Sequence, residues 1–216
     1  MKWWEQVAAL DNFWCDPTMT FASQASANGL YVNPTTVIHP TAILDTSRGP
    51  IWIGAYTKIC EGVSLSGPLY IGDHVLIGKN AQVRGPSKIA DHCLVGYSAE
   101  VKRASLGYGV KLGPLSYAAD SVLENNVFFG AMVRTSNYRT DGGNISVMVD
   151  GERVDTGMDK LGCHVGEGTF LGVGCKIYPG REVPPGSVFE MDVHIKKNLE
   201  PGHYWVKQEL GFKPKE

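Results

Sequence analysis

An aliphatic side chain returns at every sixth position between residues 53 and 101: Ile53, Ile59, Leu65, Ile71, Ile77, Val83, Ile89, Val95 and Val101. Neither the 3.6-residue spacing of a helix nor the alternation of a simple strand produces that interval. A fixed short period is the mark of stacked repeats, and it constrains the fold of this chain more than any other feature. Four residues after each aliphatic stands a second set, mostly small: Thr57, Val63, Leu69, Val75, Ala81, Ser87, Cys93, Ala99 and Ser105. The residue following each aliphatic is usually small too (Gly54, Cys60, Ser66, Gly72, Gly78, Ala90, Gly96), which suits a tight corner with unusual backbone angles. The expectation is an all-β chain: a parallel β-helix of hexapeptide repeats with three short faces per coil, the coils stacked at strand spacing of ~4.8 Å.

The pattern divides the chain into residues 1–31, an N-terminal helix and linker; 32–192, the β-helix; and 193–216, a C-terminal tail with short strands around Pro201-Gly202. Trp3, Trp4, Val7, Leu10 and Trp14 fit an amphipathic helix over residues 3–14, stopped by Asp16 and Pro17. Such a helix is expected to cap the open first coil, with partner binding as the alternative. Residues 15–31 read as a linker, the repeat starts loosely at Val37 to Ile43, and residues 47–50 form a small bulge. After Val101 the period slips to Leu106, Leu112 and Ala118, and again to Leu123, Phe129 and Thr135. Residues 137–160 lose it and form a protruding arm, whose alternation around Asp150-Gly151 predicts a hairpin. The repeat resumes at Val165, Leu171, Ile177, Val183 and Phe189, with Arg181 out of place in a small interior position. Either the register shifts after Pro179-Gly180 or the arginine lies at the open end.

Charge and composition exclude several classes. With 20 Lys and Arg against 22 Asp and Glu there is no broad basic field, so nucleic acid is not an expected partner. No stretch approaches the ~20 apolar residues of a membrane span. Lys2, Glu5 and Asp11 interrupt what would be the apolar core of a signal peptide. The 5 cysteines form no CxxC pair and point to reduced thiols in a cytoplasmic protein, with Cys93 and Cys175 as packing residues. A zinc site from Cys163, His164 and Cys175 lacks ligand spacing, so no metal is expected.

Two corner positions hold long cations instead of small residues. Arg84 and Lys102 lie one coil apart, which stacks them. Two charges ~5 Å apart repel by a few kcal/mol at an effective dielectric near 20. Either an anion lies between them or carboxylates such as Glu100 pair with them as a surface ladder. In the first case Arg84 is a planar fork and Lys102 a point charge for a phosphate. Tyr117 and Asp120 follow on the next coil, and Asn137 and Tyr138 stand where the coil gives way to the arm.

At these residues the chain resembles a known family. VGYSAEVKRASLG (95–107), LGPLSYAAD (112–120), FGAMVRTSNY (129–138) and the arm exit (149–180) are similar to the acetyltransferase domain of bifunctional N-acetylglucosamine-1-phosphate uridylyltransferase/glucosamine-1-phosphate acetyltransferase. The resemblance covers roughly residues 50–190, including the off-period slips. It implies a left-handed β-helix, a homotrimer with sites between neighbouring subunits, and acetyl-CoA or another acyl-CoA as donor. By the same resemblance, Arg84, Lys102 and Tyr117 would hold a sugar phosphate, and Ala131, Asn137 and Tyr138 would line the donor and amino-group region. The family's nucleotidyltransferase domain has no room in the residues preceding the match, so uridylyl transfer is not expected. The family's general-base histidine falls on Pro114, its supporting glutamate is Glu100, and an asparagine falls on Phe128. General-base catalysis contributes roughly 10²–10⁴-fold, so its loss bears on the activity.

Three readings follow. The first is an acyltransferase acting on an amino-sugar phosphate or nucleotide-linked amino sugar, with Glu100, Asp120, or His92 or His164 of a neighbouring chain taking the proton. The second is a non-catalytic sugar-phosphate binder or scaffold subunit that recruits a separate nucleotidyltransferase or pathway enzyme through its Trp-rich helix. The third keeps the enzyme class and changes the donor to an acyl carrier protein or a longer acyl-CoA, on the apolar Phe128 and Met132.

Overall fold

The computed structural model describes residues 2–11 and 28–207. Strands of two or three residues alternate with short corners and stack into three parallel sheets. The first face runs in 8 strands from Leu30–Val32 to Arg181–Val183, the second in 9 from Val37–Ile38 to His203–Tyr204, and the third in 8 from Ile43–Asp45 to His194–Ile195. Each strand pairs with its counterpart one coil on, as Ile53 does with Ile71 and Val83 with Val101. This is a left-handed β-helix of hexapeptide repeats. All nine period-six aliphatics are at most 1% exposed. They turn inward and fill the shaft between the three sheets.

The physical reason for the small corner residues differs from the expected one. Left-handed backbone falls three residues after the aliphatic, at Tyr56, His74, Asn80, His92 and Ser98 (φ 50° to 59°). The residue directly after the aliphatic is small because the next coil lies against it: a Cβ on Gly78 would sit 2.9 Å from the carbonyl carbon of Gly96. The first slip also comes one residue earlier than the spacing suggested. Ala104, fully buried, takes the small interior position, and Ser105 faces outward in register with Lys88.

The regular coil is longer than the pattern implied. Leu30–Val32 already pairs with Ile51–Ile53, and the inward residues of the first coil are Val32, Ile38 and Leu44. Val37 and Ile43 point outward and are 62% and 64% exposed. At the other end Ile195 continues the interior column, and His203–Tyr204 adds to the second face around the expected Pro201-Gly202 turn.

The N-terminal helix spans Trp3–Ala9; its expected continuation through Trp14 to Asp16 and Pro17, and most of the expected linker, lie outside the described residues. It does not cap the first coil. Trp3, Trp4 and Val7 pack instead with Val122, Ile145, Val147 and Leu161, because the apolar surface that can cover an amphipathic face is built by the arm and the first face. That apolar face is thereby used within the chain. The arm forms the expected hairpin, Ser146–Val149 against Glu152–Asp155, with Asp150 and Gly151 both left-handed (φ 51° and 83°), as a tight two-residue turn requires. It lies back on the body, with Ile145 and Val147 buried, so it branches from the coil without projecting freely.

Arg181 needs neither of the two expected explanations. Its strand stays in register with Cys163–Val165, and Val183 keeps its inward place. The side chain turns toward the arm, where Nε donates to the Pro179 carbonyl at 3.0 Å and Nη2 to the Ser146 carbonyl at 3.4 Å. Cys93 and Cys175 are buried packing residues whose thiols donate to the carbonyls of Gly107 (3.1 Å) and Glu190 (3.0 Å).

Candidate functional site

The third face gathers most of the singled-out residues. Its short strands Gln82–Arg84, Glu100–Lys102 and Tyr117–Ala119 are in parallel register, which sets Lys102 beside Arg84 and Glu100 beside Tyr117. Alternation sends the flanking residues of each triplet outward while Val83, Val101 and Ala118 face the shaft. The Arg84 and Lys102 stack is therefore real, and carboxylates accompany it. Arg84 pairs with Glu100, its Nε donating at 2.9 Å, and Lys102 Nζ lies 3.3 Å from Asp120 Oδ2.

Asp120 is the hub. It is 1% exposed, sits in left-handed backbone (φ 49°), and accepts from Lys102, from Arg103 at 3.5 Å and from Asn137 Nδ2 at 2.5 Å. A buried carboxylate that accepts from three donors, two of them cationic, is fixed in place. It also ties the start of the arm, through Asn137, to the middle of the third face. Arg103 was not singled out from the sequence; it bridges Asp120 to Asp11 beyond the helix at 2.6 Å, and its only sequence signal was adjacency to Lys102. Tyr117 is half-buried, and burial, then the charges of Glu100 and Asp120, push its phenol above the ordinary range despite Arg84. Its hydroxyl is thus a proton-bearing donor at neutral pH. Tyr138 stands exposed at the base of the arm, bridged to Lys160.

Ala131 lies apart from this cluster, on the corner between the second and third faces. There it lines a groove of about 480 Å³ with Phe128, Gly130, Phe170, Gly172, Val173 and Met191, and with Glu190 at the rim. Phe128 and Phe170 stack in parallel, centroids 4.7 Å apart, one coil above the other. Small residues at Gly130, Ala131 and Gly172 leave a floor, and the apolar side chains form its walls. Phe170, Val173 and Met191 were missed because the arm interrupts the count between one coil and the next. Pro114 occupies the same corner one coil below Ala131, exposed, its carbonyl accepting from the Met132 amide at 2.9 Å. Its side chain offers no proton acceptor.

His92 and His164, the histidines considered as bases, lie on other sides of the chain, whereas His203 bonds Glu190 of the groove at 3.0 Å. His92 is part of an exposed stack along the corner between the first and second faces, 4.8 Å from His74 and 5.1 Å from Tyr108. His164 is covered by Trp3 and held by Glu124 at 2.9 Å. Cys163 faces the shaft, where burial pushes its thiol up to about 12, and among the described residues no group of three His, Cys, Asp or Glu is placed to hold a metal.

Comparison with known proteins places these features in context. The profile of the bacterial transferase hexapeptide (six repeats) matches residues 68–103. The uncharacterized acetyltransferase YaiX of Escherichia coli is 37% identical over 211 residues, covering 96% of this chain and 88% of that protein. A bifunctional sugar-1-phosphate nucleotidylyltransferase/acetyltransferase of Sulfurisphaera tokodaii is 35% identical over 98 residues, 43% of this chain and 24% of that protein. Among solved structures, a hexapeptide transferase family protein from Anaplasma phagocytophilum aligns with a TM-score of 0.43 at 22% identity, over 50% of this chain and 66% of that one.

Proposed function

Because the chain belongs to the hexapeptide-repeat acetyltransferase family, we propose that it transfers an acyl group from acetyl-CoA or another acyl-CoA to the amine of an amino-sugar phosphate or nucleotide-linked amino sugar. The observation that carries this reading is the presence of two distinct surfaces on one shaft. An apolar groove runs past Ala131 on one side, and a hydrogen-bonding, cation-bearing cluster occupies the adjoining face. A linear thioester arm suits the groove, whose small floor residues allow close approach and whose apolar walls are exposed and free to pack on it. The bound acyl-CoA supplies the activated carbonyl carbon.

The chain's own residues then have distinct parts. Arg84 and Lys102 bind the phosphate, Tyr117 donates to it or to the sugar, and Asn137 and Tyr138 orient the sugar. Of the two carboxylates, Glu100 has a side chain 28% exposed and Asp120 only 1%. Glu100 is therefore the proton acceptor for the attacking amine, and Asp120 positions Lys102 and Asn137. Exposed Leu115, Met132 and Phe170 along the same edge favour a neighbouring subunit as cover, and we read the active assembly as a homotrimer.

Pro114 supports a second reading, a binder that has shed its chemistry, since the position where the family's base falls carries no imidazole. Acyl transfer measured with acetyl-CoA and a panel of hexosamine phosphates and nucleotide-linked amino sugars separates the two. Turnover that falls in Glu100→Gln supports the enzyme. Ligand-induced stabilisation by sugar phosphates without any transfer supports the binder.

A further inference from the structure

A second concentration of positive charge lies where the arm folds over the last coils. Arg153 of the hairpin, Arg181 of the first face and Lys196 beyond the third line one cavity of about 160 Å³, with Tyr178, Pro179, Ile145, Ser146 and Arg139. Arg139 is engaged by Asp141 through both Nε and Nη2. The other three cations form no ion pair among the described residues, and no carboxylate lines the cavity. Arg181 is half-buried and, among the described residues, is answered only by the carbonyls of Pro179 and Ser146. Lys196 has the Tyr178 ring beneath it at 5.6 Å.

This arrangement is built into the backbone. Gly180 adopts φ 70°, and a Cβ there would lie 2.5 Å from the Ser146 carbonyl oxygen, so only glycine lets the arm cross this closely. The crossing brings Arg153 to Arg181, whose guanidinium is shifted down by burial and by that neighbouring charge. Like charges gathered without counter-charge raise the energy of the empty site and lower that of an anion-filled one.

We propose that the cavity between the arm and the last coils is a binding site for a phosphoryl group, with Arg153, Arg181 and Lys196 as its ligands. At about 160 Å³ the cavity is well below the roughly 300–1,000 Å³ of sites that enclose a whole small molecule. It takes the phosphate of a larger ligand and leaves the rest outside. The site is separate from Arg84 and Lys102 and does not depend on the proposed acyl transfer.

The test uses inorganic pyrophosphate as probe, titrated calorimetrically at low salt into the full chain carrying Arg84→Ala and Lys102→Ala, so that the third-face cluster is silent. Binding is expected to persist there and to weaken at least tenfold when Arg153→Ala and Lys196→Ala are added. These two side chains are exposed, so their removal leaves folding intact. Arg153→Glu supplies the missing carboxylate from within, and should abolish pyrophosphate binding while raising the melting temperature at low salt. Coenzyme A and uridine diphosphate then distinguish the source of the phosphate: a loss of affinity in the arm variants for the first assigns the site to the donor, for the second to the acceptor. Absence of binding in the Arg84→Ala, Lys102→Ala background, or equal affinity with and without Arg153 and Lys196, overturns the proposal.

Discussion

The two cationic regions of this chain gather the same kinds of side chain and are opposite in electrostatics. On the third face Arg84, Lys102 and Arg103 are interleaved with Glu100 and Asp120, so the charges close on themselves. At the arm, Arg153, Arg181 and Lys196 share a cavity with no acid in its wall. A cation that breaks a repeat is thus no evidence for a ligand until the neighbouring coils have been read for carboxylates. Where they supply one, the site is preorganised and its donors are aimed; where they do not, the charge itself calls for an anion.

The difference has measurable consequences. Removing the hub should hurt most: Asp120→Ala leaves Lys102 and Arg103 without their buried partner and is expected to cost about 3–5 kcal/mol in urea unfolding. Arg153→Ala, at the exposed arm, should stay within about 0.5 kcal/mol. Equal costs would erase the contrast.

The pH axis supplies a control that involves neither region. Burial holds the thiols of Cys93 and Cys163 up to about 12, whereas an unfolded thiol titrates near roughly 8.5. In that window the unfolded chain binds fewer protons than the folded one, so stability falls as pH rises. The fall from about pH 9 to 10 should approach 1.4 kcal/mol for each thiol. Cys93→Ala and Cys163→Ala should each remove one share of that slope, while Asp120→Ala leaves it unchanged.

Ligand response sharpens the contrast further. Arg84→Ala should weaken a sugar phosphate at least tenfold in a thermal-shift titration, equivalent to about 1.4 kcal/mol, with unfolding free energy held within about 1 kcal/mol because its pair with Glu100 is partly exposed. The smallest effect belongs to Glu100→Gln, under about 1 kcal/mol in stability. Its consequence should appear in transfer rate instead. A stability loss comparable to that of Asp120→Ala would mean that Glu100 is structural.

The two corners beside the groove show how far pattern alone reaches. Ala131 and Pro114 were legible only through the family resemblance, whereas the stacking of Arg84 on Lys102 followed from a spacing of one coil. Phe170, Val173 and Met191 share the groove with Ala131 but were not legible, since the arm breaks the count before them. Asp120 was visible as a candidate; that it is a buried hub and not an exposed base depends on Asn137 folding back from the arm.

What the sequence determined by itself is therefore the shaft: a six-residue period of aliphatics buries itself as a stacked three-faced coil, its hand supplied only by the resemblance, and each coil templates the next through local register. The slips, the hairpin at Asp150-Gly151 and the family resemblance were all carried by local residues. Only the tertiary structure decided where the helix docks, which carboxylate meets which cation, and that the arm closes over Arg181. Those contacts join Trp3 to Val122 and Ser146 to Arg181. They join residues whose separation follows no period, and charge and burial, unlike register, depend on every neighbour that packing brings near.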